Sequence, residues 1–299
     1  MTIKEELRKK FGSAVRLNEL LASHTSWQVG GPADYYIAPR SFNELAEVIK
    51  VSKQFELPLF VMGNGTNLLV LDGGIRGLVV HIGAAFSYIK QEKYGVTVGA
   101  GTAMTALARE TVEKRLSGVE FAAGIPGTLG GAVIMNAGAF GNYIGEKIQT
   151  VRLVSDSGAK VELTREELSF GYRCSNLSGK GVIFEIDLLL KEGNPHESLR
   201  LIESFIAERR RRHPEQPSAG SVFRNFPDVP AGKIIEQAGL KGIKVGGAEV
   251  SKKHANFIVN TGGATAADIM TLMEKVQQVV EEKYALELQP EVKIVGEEN

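Results

Sequence analysis

Two glycine-laced stretches constrain this chain more than anything else in it. They are Gly63-Asn64-Gly65-Thr66-Asn67-Leu68 and Gly124-Ile125-Pro126-Gly127-Thr128-Leu129-Gly130-Gly131, the second followed by Ala132 and, a little further on, Asn136-Ala137-Gly138-Ala139-Phe140-Gly141. Glycine loses backbone entropy on folding, so clusters of it need a reason, and close approach of main chain to a ligand is one. Loops presenting N–H groups and hydroxyls suit an anionic pyrophosphate. A pair of tight turns is the structural alternative for either stretch taken alone.

Neither stretch fits the usual nucleotide templates. The first follows the apolar run Leu59-Phe60-Val61-Met62 and leads into a second one, Leu68-Leu69-Val70-Leu71, with no helix after it. Phosphate would therefore be held by a loop. Gly99-Ala100-Gly101-Thr102-Ala103-Met104 imitates a dinucleotide fingerprint, but Met104 stands where a small residue should allow close helix–strand packing. We read it as a plain strand–helix turn. No Gly-Lys pair is followed by Ser or Thr, so there is no P-loop. His-Glu-x-x-His is absent and the five histidines are scattered, so no metal is expected.

Helical spacing of apolar residues appears over 41–55, 102–116, 197–212 and 265–284, the last opened by Thr265 and Asp268 as a capping pair. Strand-like runs lie between them: Leu57–Met62, Leu78–Ile82, Gly95–Val98, Val151–Val154, Val182–Leu190, Phe257–Asn260 and Glu287–Val295. This interleaving gives an α/β or α+β class. Lys191-Glu192-Gly193-Asn194-Pro195 is polar and turn-forming, which places the main boundary there: 1–195 and 196–299.

Lys+Arg and Asp+Glu each number 35, so no net field advertises nucleic acid or an anionic membrane. The single cysteine, Cys174, excludes an internal disulfide framework and fits a reducing compartment. The first ten residues lack the apolar core of a secretory signal. No run approaches the roughly 18 apolar residues of a membrane span. A cytoplasmic protein, without membrane insertion, is expected.

Together with the glycine loops, Thr25-Ser26-Trp27-Gln28-Val29-Gly30-Gly31-Pro32-Ala33, Gly171-Tyr172-Arg173, Ala219-Gly220-Ser221-Val222-Phe223-Arg224-Asn225, Gly239-Leu240-Lys241-Gly242, Gly246-Gly247-Ala248-Glu249-Val250-Ser251, His254-Ala255-Asn256-Phe257-Ile258-Val259-Asn260 and Pro290-Glu291-Val292 follow one another in one order. In this the chain resembles the UDP-N-acetylenolpyruvoylglucosamine reductase (UDP-N-acetylmuramate dehydrogenase) family over nearly its whole length. Each motif is weak alone; their serial agreement is specific. Two departures stand out. Phe226 intervenes between Asn225 and Pro227, where the family usually has proline directly. Only a short linker separates Leu190 from Glu197, so the chain resembles the shorter subclass lacking a tyrosine-bearing insertion.

The resemblance implies an α+β fold: an FAD-binding domain of the vanillyl-alcohol oxidase / p-cresol methylhydroxylase type in two α+β subdomains, about 1–84 and 85–195, and a C-terminal α+β substrate-binding domain, 196–299. It implies NADPH as reductant, a UDP-sugar enol ether as substrate, and a role in peptidoglycan synthesis, cell shape and division. FAD would be bound by Gly63, Asn64, Gly65, Thr66, Asn67, Leu68, Gly124, Ile125, Pro126, Gly127, Thr128, Gly130, Gly131, Ala132, Asn136 and Gly138. Neither loop contains the histidine or cysteine that covalent attachment generally needs, so the flavin is expected to be non-covalent. Arg173 matches the arginine at the substrate carboxylate, Ser221 the proton donor and Glu291 an assisting acid, while Tyr172, Arg212 and Asn225 match substrate contacts. A monomer is expected.

Each residue has a plainer reading. Arg173 could be a surface arginine after a turn, Ser221 a turn serine and Glu291 an exposed strand glutamate. Arg209-Arg210-Arg211-Arg212 is by default solvated charge at a helix C-terminus, where the dipole favours cations. Cys174 is incidental. Two rival functions are a different FAD oxidoreductase of the same fold, such as an alcohol oxidase, and a flavin- or nucleotide-sensing binding module. Gly220-Ser221, Asn225 and Pro290-Glu291 argue against the first, and the set of Arg173, Ser221 and Glu291 weighs against the second, since a binder has no need of an acid.

Overall fold

The computed structural model describes residues 2–298. They form two compact units. The first comprises the N-terminal segment through Arg16, then Tyr35–Gly63 and Gly77–Arg209; the second comprises Leu17–Asp34, Asn64–Arg76 and the chain from Arg210 onward. Set against the boundary expected at 195/196, these units are discontinuous in sequence. A single helix runs through the junction, and two early segments carry core residues of the second unit.

In the first unit, α1 (Ile3–Phe11) begins with a capping box between Thr2 and Glu5 and buries Leu7 and Phe11. Ser41 caps α2 (Phe42–Gln54), which buries Leu45, Val48 and Ile49 as their spacing predicts. Residues 59–62 run parallel to residues 78–81. The main sheet is antiparallel, with strands in the order Lys160–Thr164, Ile148–Val154, Val182–Leu189, Gly95–Gly99, Ile89–Glu92. Its central strands bury Val151, Ile186 and Val98. The strand ending at Gly99 turns into α3 (Met104–Glu113), so the Gly99–Met104 segment is a strand–helix connection.

The second glycine stretch runs into a short helix, α4 (Leu129–Ile134). Then α5 (Pro195–Arg212) opens with proline at its first position, where the missing N–H is no loss, and Asn194 Oδ1 accepts the N–H of His196 at 3.0 Å.

The second unit contains α6 (Ala231–Gln237), α7 (Ala266–Tyr284) and a three-stranded antiparallel sheet of Lys244–Val245, Ala248–Val250 and Ile258–Asn260. Thr265 and Asp268 form the expected capping box of α7, and the Asp72 carboxylate accepts the N–H groups of Ala266 and Ala267, both at 2.9 Å. Trp27, fully buried, joins this core with Leu69, Phe223, Ile258, Leu272 and Leu288. Its Nε1 donates to the Ile258 carbonyl at 2.7 Å, and Asn260 Nδ2 donates back to the Trp27 carbonyl at 3.0 Å. Leu68–Val70 pairs in parallel with Lys293–Val295. The strand expected over 287–295 is regular only over these last three residues; Pro290, which has no N–H to give, makes an isolated bridge with Phe223.

Candidate functional site

The glycines of the two loops divide by what a side chain would meet. In the second unit Gly65 sits at φ +59, and a Cβ there would overlap the His24 carbonyl oxygen. The Gly65 carbonyl accepts the Ser26 N–H at 3.2 Å, which fastens the loop to the Thr25–Gly31 segment. Protein backbone therefore demands glycine at 65. In the first unit a Cβ on Gly63 would overlap Thr128 Oγ1, so these two residues lie side by side. A Cβ on Gly130 would lie 3.0 Å from Ala100 Cβ, and one on Gly138 would strike the Tyr143 ring.

Gly124 and Gly131 are different. A Cβ on Gly124 would come no closer than 3.5 Å to Phe140 Cε2, and one on Gly131 no closer than 3.7 Å to Thr128 Oγ1. Neither has a positive φ. Nothing in the protein forbids a side chain at these two positions; Gly124 is buried beside Phe140 and Arg209, whereas Gly131 is exposed, as main chain kept bare for a ligand would be. Among the described residues, the N–H groups of Asn64, Gly65, Thr66 and Asn67, and those of Gly127, Thr128 and Gly131, donate to no protein acceptor. By contrast the Leu129 and Gly130 amides are taken by the carbonyls of Thr102 and Ala100, both at 2.8 Å. Taken separately, each loop offers what FAD calls for: N–H donors for a diphosphate and, at Gly131, bare main chain for close approach.

Tyr172 and Arg173 form the two-residue turn of a hairpin in the first unit, with Phe170 opposite Ser175 and Gly171 opposite Cys174. Arg173 is at φ +56, a left-handed conformation costing a non-glycine residue about 1 kcal/mol or more. Its guanidinium carbon lies 5.1 Å from the Tyr172 ring centroid. Asn136, buried and itself at φ +42, ties this hairpin down: its Nδ2 donates to the Gly171 carbonyl at 2.9 Å, and its Oδ1 accepts the Gly145 N–H at 3.0 Å. Both ends of the Asn136 amide are thus engaged by protein. Ser175 Oγ adds a bond to the Ile134 carbonyl at 2.9 Å. Cys174 is a free, exposed thiol.

In the second unit the structure brings Ser221 and Glu291 together although 69 residues separate them in sequence. Glu291 N–H donates to the Val222 carbonyl at 2.7 Å, and Arg224 N–H to the Gln289 carbonyl at 2.8 Å, so residues 221–224 lie along 289–291. Asn67 Nδ2 reaches the Glu291 carbonyl at 3.3 Å, and the Lys293 N–H returns to the Asn67 carbonyl at 3.0 Å. The first glycine loop, the serine and the glutamate are therefore one hydrogen-bonded assembly. Ser221 follows Gly220, whose φ of +79 turns the chain.

Sequence reasoning gave Asn256 no role, yet it anchors the serine segment. Buried, it accepts the Phe223 N–H at Oδ1 (2.9 Å), donates from Nδ2 to the Phe223 carbonyl (2.8 Å), and accepts the Val222 N–H at its own carbonyl (2.8 Å). The signal was present in His254-Ala255-Asn256-Phe257. His254 Nδ1 accepts the Asn256 N–H at 3.2 Å, and burial, with Lys241 nearby, pushes its pKa down, which favours the neutral ring that can accept.

Of the remaining substrate candidates, Asn225 Oδ1 accepts the Ala231 N–H at 3.0 Å at the start of α6. Phe226 N–H closes a turn onto the Val229 carbonyl at 3.1 Å, a bond proline at 226 could not make. Arg212 is exposed at the last position of α5. Among the described residues no cluster of His, Cys, Asp and Glu could hold a metal ion, and no helix is long and apolar enough to cross a membrane.

Residues 33–164 match the family model described as FAD binding domain, and residues 212–295 the one described as UDP-N-acetylenolpyruvoylglucosamine reductase, C-terminal domain. The UDP-N-acetylenolpyruvoylglucosamine reductase of Lachnoclostridium phytofermentans is 45% identical over 95% of this chain and 93% of its own. That of Bacillus subtilis is 41% identical over 98% and 97%. The crystal structure of UDP-N-acetylenolpyruvylglucosamine reductase from Thermus caldophilus aligns with a TM-score of 0.81 at 37% identity, covering 94% of this chain and 99% of that one.

Proposed function

The chain belongs to the UDP-N-acetylenolpyruvoylglucosamine reductase family, and from that premise we propose that it reduces the enolpyruvyl ether of UDP-N-acetylglucosamine enolpyruvate to UDP-N-acetylmuramate at the expense of NADPH. It is an FAD-dependent oxidoreductase of peptidoglycan precursor synthesis. The observation that supports the finer reading is the pairing of Ser221 with Glu291 through the Val222–Glu291 hydrogen bond: a hydroxyl and a carboxyl on adjoining segments, fastened to a donor-rich loop.

When bound, FAD would supply the hydride-transfer chemistry between NADPH and the terminal carbon of the vinyl ether. The chain's own residues handle charge and the proton. Addition of hydride leaves negative charge on the neighbouring carbon, delocalised into the carboxylate. Arg173 grips that carboxylate with two parallel N–H bonds and keeps its own proton throughout. Glu291, in its protonated form, polarises the same carboxylate or relays a proton. Ser221 gives its hydroxyl proton to the carbon bearing the ether oxygen, which completes the saturated lactyl ether. A serine hydroxyl is a weak acid, so neighbouring donors must stabilise the alkoxide it leaves. Tyr172, Arg212 and Asn225 contact the sugar nucleotide, Asn225 through its amide nitrogen because its oxygen is engaged at α6. On this reading the protein is a cytoplasmic monomer with non-covalent FAD.

The test separates the half-reactions by stopped flow. Ser221→Ala should leave NADPH-driven flavin reduction within about twofold, while reoxidation by the UDP-sugar enol ether slows by about 10³-fold. Equal losses in both halves would reject Ser221 as the proton donor.

A further inference from the structure

On α5, Phe205 and Arg209 stand four residues apart and so share one helix face. The Phe205 ring stacks on Phe140, centroids 4.2 Å apart with an 18° angle between planes. Phe140 and Gly141 are the turn of a hairpin joining Gly138–Ala139 to Asn142–Tyr143, with φ of +54 and +78. Turns of this kind favour Asn, Asp or Gly, and a bulky aromatic at the first position is strained. Phe140 is nonetheless 44% exposed, so burial of its ring does not account for the strain. Strain kept at such a place points to use.

Gly124 lies beside this pair. The position a Cβ would take there is 3.5 Å from Phe140 Cε2 and 3.8 Å from Arg209 Cδ, ordinary contact distances. Arg209 is half-buried, and among the described residues it has neither a carboxylate nor a hydrogen-bond acceptor. Burial alone pulls its pKa down to about 10. Compare Arg152, also largely withdrawn from water, which is matched by Glu162, Glu185 and Asp187 at 2.7, 3.1 and 2.6 Å. A guanidinium removed from water without a counter-ion is costly, so Arg209 calls for an anion the polypeptide does not supply.

We propose that Arg209, packed beside Gly124 and the Phe140–Phe205 shelf, binds the diphosphate of the resident FAD. The guanidinium fork fits phosphate oxygens bidentately. Substrate and NADPH also carry phosphates, but they come and go with each turnover, whereas the diphosphate of bound FAD offsets the buried charge in every state of the cycle. The oxidised flavin ring is neutral and offers no such compensation. The inference rests on flavin binding and is independent of which enol ether is reduced.

The experiment is titration of flavin-free protein with FAD, FMN and riboflavin, followed by fluorescence quenching, alongside UDP titration of the holoprotein. Arg209→Gln should weaken FAD binding by about 30-fold and leave riboflavin and UDP binding within twofold. Arg209→Lys should recover part of the FAD affinity. Arg210→Gln, an exposed neighbour, should change nothing. Gly124→Ala guards against misfolding in the Arg209 variants: it should melt like the parent without flavin yet lose at least tenfold in FAD affinity. Equal weakening of FAD and riboflavin would put Arg209 at the ring, and loss of UDP affinity with FAD intact would give the site to the sugar nucleotide. Either result overturns the proposal, as does unchanged FAD affinity in both Arg209→Gln and Gly124→Ala.

Discussion

Gly65 and Gly131 look alike in the sequence and are glycine for opposite reasons. Gly65 is left-handed and pressed against a backbone carbonyl, so the fold requires it with or without ligand. Gly131 lies in a helix with open space around it, and its own protein would gain from a methyl group there. The lesson is that a glycine-rich motif mixes two populations. One builds the loop, and the other leaves room on it. Only the second reports on the cofactor.

That comparison can be broken by substitution. Gly65→Ala should cost about 3 kcal/mol, combining left-handed strain with backbone overlap, and a urea melt of flavin-free protein would read it. A loss below about 1 kcal/mol would mean that the loop yields and that glycine there serves the ligand after all. Asn136→Ala should come next, at about 2 kcal/mol, because it strands the Gly145 N–H and the Gly171 carbonyl. If it instead weakened FAD binding with stability intact, Asn136 would belong with the cofactor residues by side chain, as its sequence context suggests. Gly131→Ala should give the smallest change in stability and the most diagnostic: a gain of about 0.5 kcal/mol without flavin, together with roughly tenfold weaker FAD binding. A gain in both, or a loss in both, would remove the distinction between Gly65 and Gly131.

The sequence made the long elements legible because their apolar spacing is regular and their caps are local. Ser41, Thr265 and Asp268 announce α2 and α7 in the residues themselves. The short helix α4 was hidden because Leu129-Gly130-Gly131 reads as loop, and its first amides are held by Thr102 and Ala100 rather than by any local cap. The α+β class follows from the interleaving of elements, and the antiparallel main sheet is the detail that excludes a parallel α/β arrangement. For the site, family resemblance marked Ser221 and Glu291, but no spacing could say that they lie on hydrogen-bonded neighbouring segments. The Asn256 clamp was invisible for the same reason: its partners lie 33 residues away, and a buried amide leaves no periodic trace.

Trp27 is made early in synthesis, and its hydrogen-bond partners Ile258 and Asn260 come more than 230 residues later. On the ribosome its indole must wait, unsheltered, through most of translation before the pocket that receives it exists. Polypeptides released short of Ile258 would therefore expose an aromatic surface that quality-control machinery can seize, and a fragment beginning at 196 would carry a tryptophan-shaped hole. The discontinuous core makes the second unit the last part of this protein to mature, although its first segment emerges near the start.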